Sequence, residues 1–167
     1  MADAALHGQL QAGAKSLRPP LALDLLRNEL AQFGSLPGVA LCGGVIDFAD
    51  GCSASPGESL SRVAIHAAGL PAPELQMSFY DRRGFIGTVD FWWPEYRLIG
   101  EFDGKGKYLR EEYTHGRTAS QIVMEEKERE DRLRALGNGV TRWGWSIARS
   151  GPRLRAHLME AGLRVHH

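Results

Sequence analysis

From Ser55 onward the spacing of apolar residues changes along the chain in an order that few folds accommodate. A helical spacing comes first: Leu60, Val63, Ala64 and Ala67 stand at i, i+3, i+4 and i+7. Ser55-Pro56-Gly57-Glu58 precedes it as a capping-box start, and Gly69-Leu70-Pro71 ends it. Three strand-like stretches follow. They are Leu75 to Tyr80, Phe85 to Trp93 after a turn at Asp81-Arg82-Arg83-Gly84, and Arg97 to Asp103. The last two, joined at Pro94-Glu95-Tyr96, read as an antiparallel hairpin. A long helix is expected from about Thr118 to Leu136, with Ala119, Ile122, Leu133 and Leu136 as a stripe interrupted by Glu126 and Arg129. Gly137-Asn138-Gly139 stops it, Val140 to Trp145 reads as a further strand, and Pro152 opens a last helix through Leu154, Leu158 and Ala161. A strand separated from its sheet by a helix implies an α/β fold: a mixed sheet with helices on its faces, in the order helix, strand, strand, strand, helix, strand, helix.

Residues 1–52 are expected to form an N-terminal helical extension and connector, and residues 53–167 the main domain. Leu21, Leu25, Leu26 and Leu30 give helical spacing between Pro19-Pro20 and Gly34. Ser35 to Pro56 is rich in glycine and reads as an irregular connector, with Val45 to Ala49 as a short strand or turn. No run of about 18 apolar residues is present, so no membrane span is expected. Cys42 and Cys52 are too few for a disulfide scaffold or a four-cysteine zinc site, which together with the absence of a secretory pattern points to a reducing cytoplasm. The zero net charge conceals a split: from Arg132 to His167 there are 7 arginines against Glu160 alone. Such a basic end could meet phosphates while an acidic region holds metal; the plainer reading is a solvated surface.

The chemistry concentrates on the hairpin. Glu101 and Asp103 are two apart on one strand and point to one face, with Leu98, Gly100 and Phe102 on the other. Val89 and Phe91 are expected to flank Asp90 and point away from it. If Trp93 faces Leu98, Asp90 lies opposite Glu101, and two like charges so placed need an offsetting cation. Magnesium or manganese suits two or three carboxylates. Glu58 is a candidate fourth ligand from the helix start, where it also fits a capping role. Asp103-Gly104 also reads as a turn signal. Lys105, Lys107 and Lys127 could orient an attacking water and balance charge on a phosphate, or be surface charges. Tyr108, Tyr113, His115 and Arg117 are weaker candidates for contacts to a polyanion. There is no phosphate-cradling glycine loop and no paired His/Cys ligand set, and the four tryptophans read as sheet packing.

With these residues the sequence resembles the PD-(D/E)XK, or restriction-endonuclease-like, nuclease superfamily. Within it the chain is most similar to bacterial domains related to very-short-patch-repair endonucleases. The likeness is carried by Ser55-Pro56-Gly57-Glu58-Ser59, Val89-Asp90-Phe91, Glu101-Phe102-Asp103-Gly104 with Lys105 and Lys107, and Glu126 to Asp131 before Leu133 and Gly137. It spans roughly Ser53 to Leu163. It implies a restriction-endonuclease-like core and magnesium-dependent cleavage of phosphodiester bonds by a metal-activated water. Asp90 and Glu101 would be principal ligands and Glu58 an assistant. The superfamily's lysine belongs two residues after Glu101, where this chain has Asp103. Either Asp103 is a further ligand and Lys105, Lys107 or Lys127 supplies the cation, or the site is silent; relatives of the very-short-patch type also replace that lysine. Similar actinobacterial domains often end longer chains described as AbiEi-like antitoxins or regulators, with an N-terminal winged helix that has no convincing counterpart here.

The expectation is thus a metal-dependent DNA endonuclease, with Arg132, Arg142, Arg149 and Arg153 on the DNA backbone. The competing expectation is an inactive nuclease-fold module that binds DNA or a protein partner in a toxin–antitoxin or regulatory system. A homodimer is compatible with either.

Overall fold

A four-stranded mixed sheet with order β1-β2-β3-β4 organises the larger part of the chain. The computed structural model describes Asp3, Leu6 and residues 22–104 and 118–165. These comprise helices α1 (Leu23–Ala31), α2 (Val39–Phe48) and α3 (Pro56–Ala67), strands β1 (Glu74–Asp81), β2 (Gly84–Trp93) and β3 (Leu98–Phe102), helix α4 (Ala119–Ala135), strand β4 (Gly139–Trp143), and helices α5 (Trp145–Ala148) and α6 (Gly151–Glu160). The chain divides into two compact units, Met1–Ser59 and Leu60–His167, with the boundary inside α3. Among the described residues no helix is long and apolar enough to cross a membrane.

In the first unit, α2 replaces the expected connector. Gly38 takes the left-handed φ of 91° that launches it, and the helix runs to Phe48. Its sequence is apolar with paired glycines, Gly43 and Gly44, so no one-sided stripe betrays it. Leu30 of α1 lies 3.7 Å from where a Gly43 Cβ would stand, an ordinary contact distance, and Arg27 binds Asp47 through two nitrogens at 2.9 and 3.0 Å. Cys42 and Cys52 are exposed, and neither is in a disulfide among the described residues.

In the second unit, β1 and β2 pair antiparallel, β2 and β3 pair antiparallel, and β3 and β4 pair parallel. The parallel pair needs a crossover, and α4 lies between its strands in sequence. Leu98 and Ile99, neighbours on β3, divide the core between the two sheet faces. On one face Phe91, Trp93, Leu98 and Trp143 pack with Ile65 of α3 and Leu154 and Leu158 of α6. On the other, Ile86, Val89 and Ile99 pack with Leu133 of α4. Buried Ser61 is satisfied by the Trp143 indole nitrogen at 2.9 Å.

The element ends follow local chemistry. Helix α3 closes as a Schellman motif: Leu70 N donates to Ile65 O, Gly69 N to His66 O, and Gly69 has φ 65°. Helix α4 opens on a reciprocal capping box between Thr118 and Gln121, an arrangement whose cap residue is worth about 1 kcal/mol. Its C-terminal carbonyls, Leu136 O and Gly137 O, accept from the Arg97 guanidinium, so a cation sits at the negative helix end. Trp145, expected to end the last strand, instead begins α5: the ladder stops at Trp143 and Gly144 caps the new helix.

Candidate functional site

The β2–β3 register pairs Trp93 with Leu98, Trp92 with Ile99 and Phe91 with Gly100. The ladder ends there, so the expected facing of Asp90 and Glu101 falls one residue beyond its last pair. The alternation through Asp90 does not hold, however. Val89 packs in the cluster with Leu133, whereas Phe91 packs in the opposite one with Trp93 and Trp143. The strand changes faces at Asp90, and Gln76, which stands across from it on β1, has a left-handed φ of 51°. The Asp90 carboxylate turns to the next strand: Oδ2 accepts the Phe102 amide at 2.8 Å, and Oδ1 accepts from Gln76 Nε2 at 3.5 Å. It takes the place of a ladder carbonyl and ends the pairing there.

Beyond that point the sheet opens into a cleft of about 210 Å³ lined by Thr88, Asp90, Glu101, Phe102, Asp103, Gly104, Glu126, Arg129 and Arg142. Asp103 is anchored through its backbone, its N–H donating to Trp143 O at 2.8 Å. Three of the predicted carboxylates therefore share one cavity. Glu58 lies in the first unit, where Ser55 Oγ donates to its Oε1 at 2.7 Å and Ala54 N to its Oε2 at 2.9 Å. Its capping role is thus realised, with Glu58 N returned to Ser55 Oγ at 3.2 Å. Lys127 is exposed on α4 and does not line the cleft. Lys105, Lys107, Tyr108, Tyr113, His115 and Arg117 lie outside the described residues.

The dominant feature of the cleft is one that periodicity alone does not reveal. Glu101, only 11% exposed at its side chain, is gripped by two guanidiniums: Arg129 Nη2 on Oε1, and Arg142 Nη2 on Oε2 at 3.0 Å. Arg129 also binds Glu126 Oε2 through Nε at 3.1 Å, and Arg142 binds Glu126 and, at 3.2 Å, Glu130. The network ties β3, β4 and α4 together. Arg129 fits because Gly87 lacks a side chain: a Cβ there would stand 3.1 Å from Nη1. Arg129 Nη1 and Arg142 Nε are buried with no hydrogen-bond partner among the described residues. Each unsatisfied donor of this kind costs about 1–3 kcal/mol, so the network is strong but incomplete.

Burial pushes the Glu101 carboxyl above its ordinary range; Arg129 and Arg142 pull against that shift, and Glu126 adds to it. Burial also works against the charges of Arg129 and Arg142, yet their carboxylate neighbours hold both above the usual range. The signal for Arg129 and Glu126 was present in the sequence as the interruption of the α4 stripe. Both occupy inward positions that the periodicity reserves for apolar residues.

Of the four arginines expected on DNA, two are committed within the chain. Arg132 binds Asp81 through Nε at 2.8 Å and Nη2 at 2.7 Å and also reaches the Gly84 and Phe85 carbonyls, fixing the β1–β2 hairpin. Arg142 belongs to the Glu101 network. Arg149 and Arg153 are exposed, with the Arg149 guanidinium 5.2 Å from the Trp145 ring centre.

No family model matches the chain, and no solved structure does. Two uncharacterized proteins of Mycobacterium tuberculosis, from strains CDC 1551 / Oshkosh and ATCC 25618 / H37Rv, are each 34% identical to it over 94 residues. The match covers 56% of this chain and 34% of theirs, so the chain spans about a third of the length of the curated relatives it matches.

Proposed function

We propose that the chain is a restriction-endonuclease-like domain that cleaves DNA in a metal-dependent reaction at the cleft of Asp90, Glu101 and Asp103. One observation carries this: Asp90, Glu101 and Asp103 line one cavity, just beyond the last β2–β3 pair of Phe91 with Gly100. The element order of the second unit is also the one that the superfamily resemblance implies.

The donor chemistry fits a hard divalent ion. The charged lining consists of four carboxylates and two guanidiniums, a formal balance of −2, and every acidic donor is an oxygen. Among the described residues no three acids stand as a ready metal shell. Magnesium commonly uses only one or two carboxylates with its own waters, and Asp90 and Glu101 would hold it, with Asp103 in the same lining. Bound there, it supplies a water of lowered pKa and a positive charge beside the phosphate. The chain itself contributes the rest. Asp90 locks the end of β3 through the Phe102 amide, so the acidic side chains keep a fixed spacing. Exposed Arg149 and Arg153 are suited to backbone phosphates, and Lys105 and Lys107 follow Gly104 in the chain as candidate charge-balancing groups.

A second reading is favoured by the occupation of both Glu101 oxygens and by Asp103 at the lysine position. It makes the domain a non-catalytic module that binds DNA or a protein in a regulatory or toxin–antitoxin system. The deciding experiment incubates the purified chain with supercoiled plasmid and Mg²⁺ or Mn²⁺. Cleavage lost in both Asp90→Asn and Glu101→Gln supports the nuclease. Cleavage surviving both rejects this site, and DNA binding without cleavage in the unsubstituted chain supports the module.

A further inference from the structure

We infer that Arg129 and Arg142 compete with a divalent cation for Glu101, so that loading of the cleft is an exchange in which the carboxylate leaves its guanidinium partners. This rests on the metal-dependent reading above. Both Glu101 oxygens are taken, one by each arginine, so the carboxylate cannot serve a cation without giving up contacts it already makes. The exchange leaves neither arginine stranded: Arg129 keeps Glu126, and Arg142 keeps Glu126 and Glu130. Nor is the closed state saturated, because Arg129 Nη1 and Arg142 Nε find no acceptor among the described residues. The tie is charge-assisted and two-pronged, hence strong, but each arginine has a carboxylate to fall back on when it opens. Its strength would set the cation concentration at which the cleft fills.

The test measures Mn²⁺ affinity of the full chain by calorimetry for the unsubstituted protein, Arg142→Gln, Arg142→Lys and Arg134→Gln. Arg134 is the control: it shares Glu130 with Arg142 but does not touch Glu101, and its loss changes net charge equally. The expected result is Mn²⁺ binding at least tenfold tighter in Arg142→Gln, severalfold tighter in Arg142→Lys, and less than twofold changed in Arg134→Gln. Equal affinity in the unsubstituted protein and both Arg142 variants overturns the competition while leaving the metal site standing. Equal tightening by Arg134→Gln overturns it in favour of a general charge effect. Binding in none of the four overturns the metal-dependent reading itself and the competition with it. Unfolding curves confirm that each variant is folded; should Arg142→Gln fail to fold, Arg142→Lys decides by the same comparison.

Discussion

Arg142 meets Glu101 across the parallel pairing of β3 with β4, Nη2 to Oε2 at 3.0 Å, at the position where the ladder sets the two residues side by side. The same pairing that completes the sheet thus brings a cation to the acid that the hairpin buries. Glu101 could not be buried here alone, because an unpaired charge in such a setting is strongly destabilising.

Removing either partner should therefore be costly, and removing both should cost less than the sum. Glu101→Ala or Arg142→Ala is expected to lower stability by about 3 kcal/mol, the low end for a broken buried pair, since Arg142 is 32% exposed at its side chain. The double variant should show a coupling of about 1–3 kcal/mol in urea unfolding. Additive losses would mean that the two charges are independently solvated.

Asp90 has a structural duty separable from its charge. Asparagine can still accept the Phe102 amide, whereas alanine leaves that N–H unpaired. Asp90→Ala should be less stable than Asp90→Asn by about 1–2 kcal/mol, and Phe102 amide exchange should accelerate in alanine alone. Equal stability of the two would show that the side-chain bond does not hold the strand end.

The hairpin clasp predicts an acid limb. The hydrogen bonds from Arg132 hold the Asp81 carboxyl down to about 2, below its ordinary value. A depressed carboxylate contributes stability that is fully present above about pH 4, its unfolded range, and is lost as pH falls through about 2. Urea midpoints between pH 5 and pH 2 should fall less steeply in Asp81→Asn than in the unsubstituted chain. Parallel slopes would remove Asp81 from the account.

How much of this was legible in the sequence varied with how local the cause was. Caps and stops were readable because their partners lie within a few residues, as at Ser55 with Glu58 and at Gly69. The Trp93–Leu98 pairing, a supposition at the level of sequence, is present across a 3-10 turn at Pro94–Tyr96 and a left-handed Arg97. Helix α2 was hidden because a stretch that is apolar but for Asp47, and bears paired glycines, shows no preferred side. The change of faces at Asp90 stands opposite a left-handed Gln76 on another strand, and no pattern within β2 encodes it. Glu126 and Arg129 could be seen to break the α4 stripe, but the Arg129–Glu101 pair, and Arg142 as the cation common to Glu101 and Glu126, emerge only once β4 lies beside β3 and α4 packs on the sheet.

Gly100 shows the same tertiary dependence. A Cβ there would stand 2.6 Å from Trp143 Cη2 and 3.0 Å from Trp93 Cζ3. Gly100→Ala should cost about 1–3 kcal/mol by overpacking the aromatic layer beneath the cleft, read as a fall in the thermal midpoint. An unchanged or raised midpoint would mean that the two indoles have room to move.

The proposed cation site stands on Asp90 and Glu101, with Asp103 in the same cavity. Electron paramagnetic resonance of Mn²⁺ titrated into the intact chain tests it most directly, because free and bound ion are counted separately. The account predicts one bound Mn²⁺ per chain, lost in Asp90→Asn while the fold is kept. A free-ion signal that rises undiminished from the first addition, or binding indifferent to Asp90→Asn, would contradict it.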